Sequence, residues 1–144
     1  MIRPLSSTDY QQWLGLWNQY LVFYKHTLSS KQTDLSFARL TAEDSDLHGI
    51  VLEEQGVLFG IAHFSFTSST WDENKNLYLE DLFVDPASRG KGYGRALIEA
   101  VAEVGKENKV QKLYWQTHRD NATAQKLYET LASKSEFVIY EKNL

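Results

Sequence analysis

A chain of 144 residues, 42% hydrophobic and 24% charged, has the composition of one folded domain over residues 1–144 and excludes a disordered segment or a membrane span. The absence of cysteine excludes disulfides, thiolate nucleophiles and Cys-ligated zinc. A formal charge of −4 argues against a nucleic-acid partner, whose phosphates are gripped by basic surfaces, and suits a cationic substrate.

Met1–Leu5 reads as a short first strand, with no cationic stretch leading into an apolar core, so a cytoplasmic protein without a secretory signal is expected. Ser7, Thr8 and Asp9 offer N-caps for a helix to about Lys25, in which Trp13, Leu16, Trp17, Tyr20 and Tyr24 repeat at helical spacing. A polar helical stretch follows from about Gln32 to Thr41. The apolar runs His48–Glu53 and Val57–Phe66 flank Glu54-Gln55-Gly56 and read as a hairpin. Leu77–Val84 is a strong strand, broken by Asp85-Pro86.

From Gly92 to Gly105, Tyr93, Ala96, Leu97, Ala100, Val101 and Val104 form one helical stripe. Val110–Thr117 reads as a strand, Ala124, Leu127, Tyr128 and Leu131 mark a last helix, and Phe137–Tyr140 a closing strand. The helical crossover between Leu77–Val84 and Val110–Thr117 makes those strands parallel if they are neighbours. The expected fold is a mixed α/β sheet with helices on both faces.

The most informative stretch is Arg89-Gly90-Lys91-Gly92-Tyr93-Gly94-Arg95, between a strand and a helix. Glycines let backbone N–H groups approach a ligand, the helix adds its positive end, and Arg89, Lys91 and Arg95 add charge, so an anion belongs here. The loop lacks the Gly-Lys-Ser/Thr ending of a nucleoside-triphosphate loop and the Gly-x-Gly-x-x-Gly of a dinucleotide fold. A ligand-free glycine turn is the bland alternative. His26, His48, His63 and His118 have no ligand spacing, so no metal is expected.

Arg89-x-x-Gly92-x-Gly94 resembles the Gln/Arg-x-x-Gly-x-Gly/Ala signature of the GNAT superfamily of N-acetyltransferases, and Leu79 through Pro86 resembles its fourth strand. Tyr78–Val84, Arg89-Gly90 and Asn121–Tyr128 resemble the spermidine/spermine (diamine) acetyltransferases. Leu16-Trp17 to Tyr24, Thr70-Trp71-Asp72 and Tyr114-Trp115 resemble the fungal histone and polyamine acetyltransferases, a subgroup with members acting on D-amino acids. Two departures stand out. Thr70 occupies the spacing of an acidic residue of the diamine enzymes, and Leu131-Ala132-Ser133 replaces their Leu-Gly-Phe turn.

The resemblance implies the GNAT fold, a mostly antiparallel sheet with a central parallel pair, and acetyl-CoA as donor. Its pyrophosphate would lie on residues 89–95, its pantetheine arm on the backbone of Leu82, Phe83 and Val84, with Asn121 and Ala124 also at the cofactor. It implies a small-amine acceptor and, because relatives commonly dimerise, a homodimer. A protein lysine or N-terminal acceptor, or a non-catalytic acetyl-CoA sensor, are the alternatives.

At pH 7 only about one aliphatic amine in 2,500 is unprotonated, a deficit of about 4–5 kcal/mol that a positioned base offsets. Glu80 is the candidate base, set mid-strand among apolar residues; the other reading is a carboxylate paired for structure. Asp81 is expected on the opposite face of the strand, able to bind a cationic acceptor. Tyr128 is the candidate acid for the departing thiolate, or else a core tyrosine. Asn121 also suits an N-cap. Trp17, Tyr20, Tyr24, Trp71 and Trp115 are candidates for the acceptor pocket, where ring faces attract ammonium groups, or else core.

Overall fold

A computed structural model describes residues 1–144. The chain opens with β1 (Ile2–Pro4) and one 3-10 turn, Ser7–Asp9, leading into α1 (Tyr10–Phe23). Asp9 is the N-cap residue of α1, without a side-chain cap bond, and Ser6 caps the 3-10 turn before it. The Ser6 hydroxyl accepts from the Thr8 N–H at 3.4 Å, while the Asp9 carboxylate accepts from the Ser6 N–H at 2.8 Å. Buried Asp9 also takes both guanidinium nitrogens of Arg3, at 2.8 and 2.9 Å, which holds its carboxyl below the ordinary range. Arg3 reaches Glu53 as well, at 2.8 Å, tying the first strand to its neighbour.

Next come α2 (Ser30–Thr41), capped by Ser29, and the hairpin of β2 (Leu47–Glu54) and β3 (Val57–Thr67). Its two turn residues, Gln55 and Gly56, have φ of 51° and 79°, the left-handed pair that a two-residue hairpin turn requires. Gln12 fastens this turn to α1, accepting from the Leu58 N–H at 2.9 Å and donating to the Gly56 carbonyl at 3.0 Å. The remaining elements are β4 (Asn76–Val84), α3 (Tyr93–Glu107), β5 (Leu113–Tyr114) and α4 (Ala122–Leu131).

The strands form one sheet in the order β1-β2-β3-β4-β5, antiparallel except for β4 and β5, which are parallel. On one face α1 and α2 bring Trp13, Leu16, Trp17, Phe37 and Leu40 against Val51, Ile61 and Phe83. On the other, Leu97, Ile98 and Val101 of α3 pack with Leu52, Phe64, Leu77 and Leu79, and α4 lies against the same cluster. Each large apolar side chain buried in these layers contributes about 1.5–3 kcal/mol. The mixed sheet with helices on both faces is as expected. No helix is long and apolar enough to cross a membrane.

Three features depart from the sequence reading. First, β4 carries a bulge. His63 pairs with Asp81 and Phe64 with Leu79, so Glu80 has no partner on β3. Second, β5 pairs with β4 only at Leu113 and Tyr114, not over 110–117, because the two strands part beyond Tyr78. Third, Phe137–Tyr140 is not a strand. The helix ends at Ala132 in extended backbone, no backbone N–H after it reaches a backbone carbonyl, and Phe137, Val138, Ile139 and Tyr140 are 80, 74, 66 and 92% exposed.

Candidate active site

The bulge decides which way the carboxylates point. Leu77 and Leu79 face α3, as do Leu82 and Val84, while Phe83 faces α1. An even strand cannot place 77, 79, 82 and 84 on one side, so the extra residue is absorbed at 80–81. Asp81 therefore does not lie opposite Glu80 as expected. Its carboxylate bonds Tyr20 of α1 and His63 of β3, and Glu80 is near enough to raise the Tyr20 phenol further. Both acids share the α1 face.

Asp81 is the hub of a part-buried relay. The Tyr20 hydroxyl donates to Oδ1 at 2.7 Å, and His63 Nδ1 lies 3.0 Å from Oδ2. On the far side of the ring, the Trp13 indole N–H donates to His63 Nε2 at 3.0 Å. Indole can only donate, so Nε2 is bare, the proton is on Nδ1, and His63 donates to Asp81. Burial, and then Asp81, push the Tyr20 phenol far above its usual range. Glu80 is exposed, yet partial desolvation and the Asp81 charge raise its carboxyl above the ordinary value.

The end of α1 closes the cluster. Tyr24 lies beside the Thr117 hydroxyl and within electrostatic reach of Asp81 and of Tyr128 on α4. Burial, then Tyr24, raise the Tyr128 phenol, which keeps its proton through the neutral range. Its ring is held edge-on by Trp115, with centroids 5.4 Å apart. Glu80, Asp81, Tyr20, Tyr24 and Tyr128 thus come from three distant stretches of the chain to one place.

Beside them the edge of β4 is free. Beyond Tyr78 it has no ladder with β5, so the backbone on that side of Leu79–Val84 has no strand partner. From this edge the chain runs through the turn Pro86–Ser88 into the glycine loop. Gly90 and Gly92 have φ of 85° and 79°, and a Cβ at either would meet nothing within 4 Å. None of the backbone N–H groups from Gly90 to Arg95 donates to a backbone carbonyl. A ring of unbonded donors at a helix start, with open space in front, fits a pyrophosphate.

The side chains around the loop are less uniformly disposed than the motif implied. Arg89 sits over the rings of Phe23 and Phe83, 5.9 and 5.8 Å from their centroids. With Asn18, Gln19 and Val22 it lines an open groove of about 440 Å³. Lys91 lies over the Tyr93 ring, Tyr93 turns its phenol to Glu54, and Arg95 donates to the Thr130 hydroxyl at 2.8 Å. Asn121 caps α4, accepting from the Ala124 N–H at 3.3 Å.

Two pocket candidates lie elsewhere. Trp71, in the polar connection between β3 and β4, is 84% exposed and stacks on no other ring. Trp17 is core, stacked between Trp13 and Tyr20, with its indole N–H buried and unpartnered. Trp13, His63 and Thr117 were missed. A lone histidine in a strand gives no signal, and the relay depends on a bulge that composition does not reveal.

The model of the Acetyltransferase (GNAT) family matches residues 10–132. The D-amino-acid N-acetyltransferase HPA3 of Saccharomyces cerevisiae is 31% identical, over 99% of this chain and 90% of that protein. The thialysine N-epsilon-acetyltransferase of Bos taurus is 38% identical over 57% of this chain and 48% of its own length. Among solved structures, AAC(6')-Iy in complex with a bisubstrate analog superposes with a TM-score of 0.86 at 24% identity, covering 100% of this chain and 97% of that one.

Proposed function

The chain belongs to the GNAT acetyltransferase family, and we propose that residues 1–144 are one catalytic domain acetylating a small aliphatic amine, a polyamine, diamine or amino acid. Acetyl-CoA, the donor of this family, supplies an activated acetyl thioester. The N–H groups of residues 90–95 hold its pyrophosphate, with Arg89, Lys91 and Arg95 adding charge. The free edge of β4 at Leu82, Phe83 and Val84 offers hydrogen bonds to the pantetheine arm. Asn121 and Ala124, at the start of α4, complete the cofactor site.

Glu80 takes the proton from the substrate ammonium, directly or through water. Asp81, behind it, makes the site attractive to a cation. Tyr20 and Tyr24 present their rings to the aliphatic part, and Tyr128 holds a proton for the departing sulfur. The observation that carries this reading is the bulge, which places two carboxylates side by side against the open edge of β4.

Release of coenzyme A thiol across spermidine, spermine, short diamines, D- and L-amino acids, aminosugars and a lysine-rich peptide tests it. Turnover is expected with small aliphatic amines. Turnover on the peptide alone would make the acceptor a protein, and binding of acetyl-CoA without turnover on any amine would make the chain a sensor.

We also infer a cytoplasmic homodimer. The outer edge of β5 is unpaired, and the same chain carries an exposed, unpaired strand-forming run, Phe137–Tyr140. A second copy supplies what each lacks. A stable interface buries roughly 1,200–2,000 Å² in all, and the exposed tails of both copies contribute to it. Light scattering is expected to give a dimer for the full chain and a monomer after removal of residues 133–144. A monomeric full chain at micromolar concentration would overturn it.

A further inference from the structure

The relay behind the carboxylates has a consequence for the charge of the site. Trp13 is completely buried, so its N–H has no water to turn to and can be satisfied only by an acceptor. His63 Nε2 is that acceptor, at 3.0 Å. A second proton on the imidazole would set two N–H groups face to face and strand the indole donor. Without that proton, the imidazole gives Asp81 a hydrogen bond but no positive charge. The other groups facing this point are Tyr78 and Glu80 on β4 and Tyr20 and Tyr24 on α1, with no lysine or arginine among them.

We propose that Trp13 and His63 are positioning residues: the indole N–H locks the imidazole in its neutral Nδ1–H form, so Asp81 remains an uncompensated anion that draws the substrate ammonium to Glu80. The inference rests on the reading of Glu80 as the base. It goes further in assigning the site's cation preference to two residues that no substrate touches. Desolvation first, and the Asp81 charge second, also disfavour a charged Glu80 and raise its carboxyl, whereas positive charge on His63 acts to lower it. An imidazolium 3.0 Å from Asp81 would oppose both the pull on the ammonium and the raised carboxyl.

Two measurements test the lock. In long-range proton–nitrogen spectra of the unmodified protein at neutral pH, His63 is expected to show a bare Nε2 and a protonated Nδ1. A protonated Nε2 would overturn the proposal without any assay of activity. In Trp13→Phe, which removes the donor and keeps a ring, His63 is freed to titrate. The KM for a cationic amine is then expected to match the parent enzyme above about pH 7.5 and to rise roughly fivefold below about pH 6. The acidic limb of kcat moves to lower pH.

The double variant Trp13→Phe/His63→Gln, whose amide still donates but cannot titrate, is expected to lose the pH-dependent part of that defect. A KM defect of the same size at every pH would reduce Trp13 to a packing role and end the proposal. Failure of the base reading looks different: Glu80→Gln would retain activity while the histidine spectrum stayed as described.

Discussion

Glu80→Gln is expected to lower kcat/KM for an amine by about 10²–10⁴-fold at pH 7, with the affinity for acetyl-CoA unchanged. Gln fills the same space and removes only the proton acceptor. The deficit should shrink as pH approaches the amine's own pKa, near 10, where solvent has already taken the proton. Rates equal to those of the parent enzyme at pH 7 would remove Glu80 from the mechanism.

The same variant makes a claim about stability, of opposite sign. The folded chain raises the Glu80 carboxyl above its unfolded value, so the group favours the folded state at low pH and that contribution is lost as pH rises through the folded value. Glutamine carries no charge at any pH. Thermal unfolding of the variant is therefore expected at or above the parent's temperature at pH 7, with the gap closing toward pH 4. A less stable variant at pH 7 would mean that the carboxylate is held by a structural partner.

Tyr128→Phe is expected to lower kcat by about 10²-fold while leaving the KM for acetyl-CoA within a few-fold. The ring keeps its edge contact with Trp115, so packing is largely retained and the loss reports the hydroxyl. Because burial and Tyr24 push this phenol up, the parent enzyme is expected to hold its activity well into the alkaline range before a basic limb sets in. An unchanged kcat would make Tyr128 a core residue and require another proton source.

What was legible in the sequence was what local chemistry dictates. Gln55-Gly56 marks a hairpin because the glycine accepts the left-handed backbone of a two-residue turn between two strand-forming runs. The glycine loop stands out because its donors and its helix start are contiguous. The Leu97–Val101 stripe declares a helix face. Each of these is written within a few neighbouring residues.

What was misread depends on partners far away in the chain. Phe137–Tyr140 has the β-branched and aromatic side chains of a strand, but that preference means only that the segment fits a pleated, half-buried surface, and its own fold offers none. Val110–Thr117 looks like a full strand, yet its ladder is cut to two residues by the parting of β4 and β5. Asp81 was assigned to the wrong face because alternation was assumed to run unbroken through Glu80. His63 and Trp13 acquire meaning only once Asp81 faces them.

The bulge at Glu80 is in effect a one-residue insertion retained inside an otherwise regular strand. A chain lacking one residue between Leu79 and Leu82 would restore strict alternation and a full ladder with β3, but could no longer present two adjacent acids to the same side. Such a deletion mutant would be a better strand and a poorer enzyme. In this stretch, then, backbone regularity and chemistry are in direct competition, and screens that select on folding alone would discard the residue on which catalysis depends.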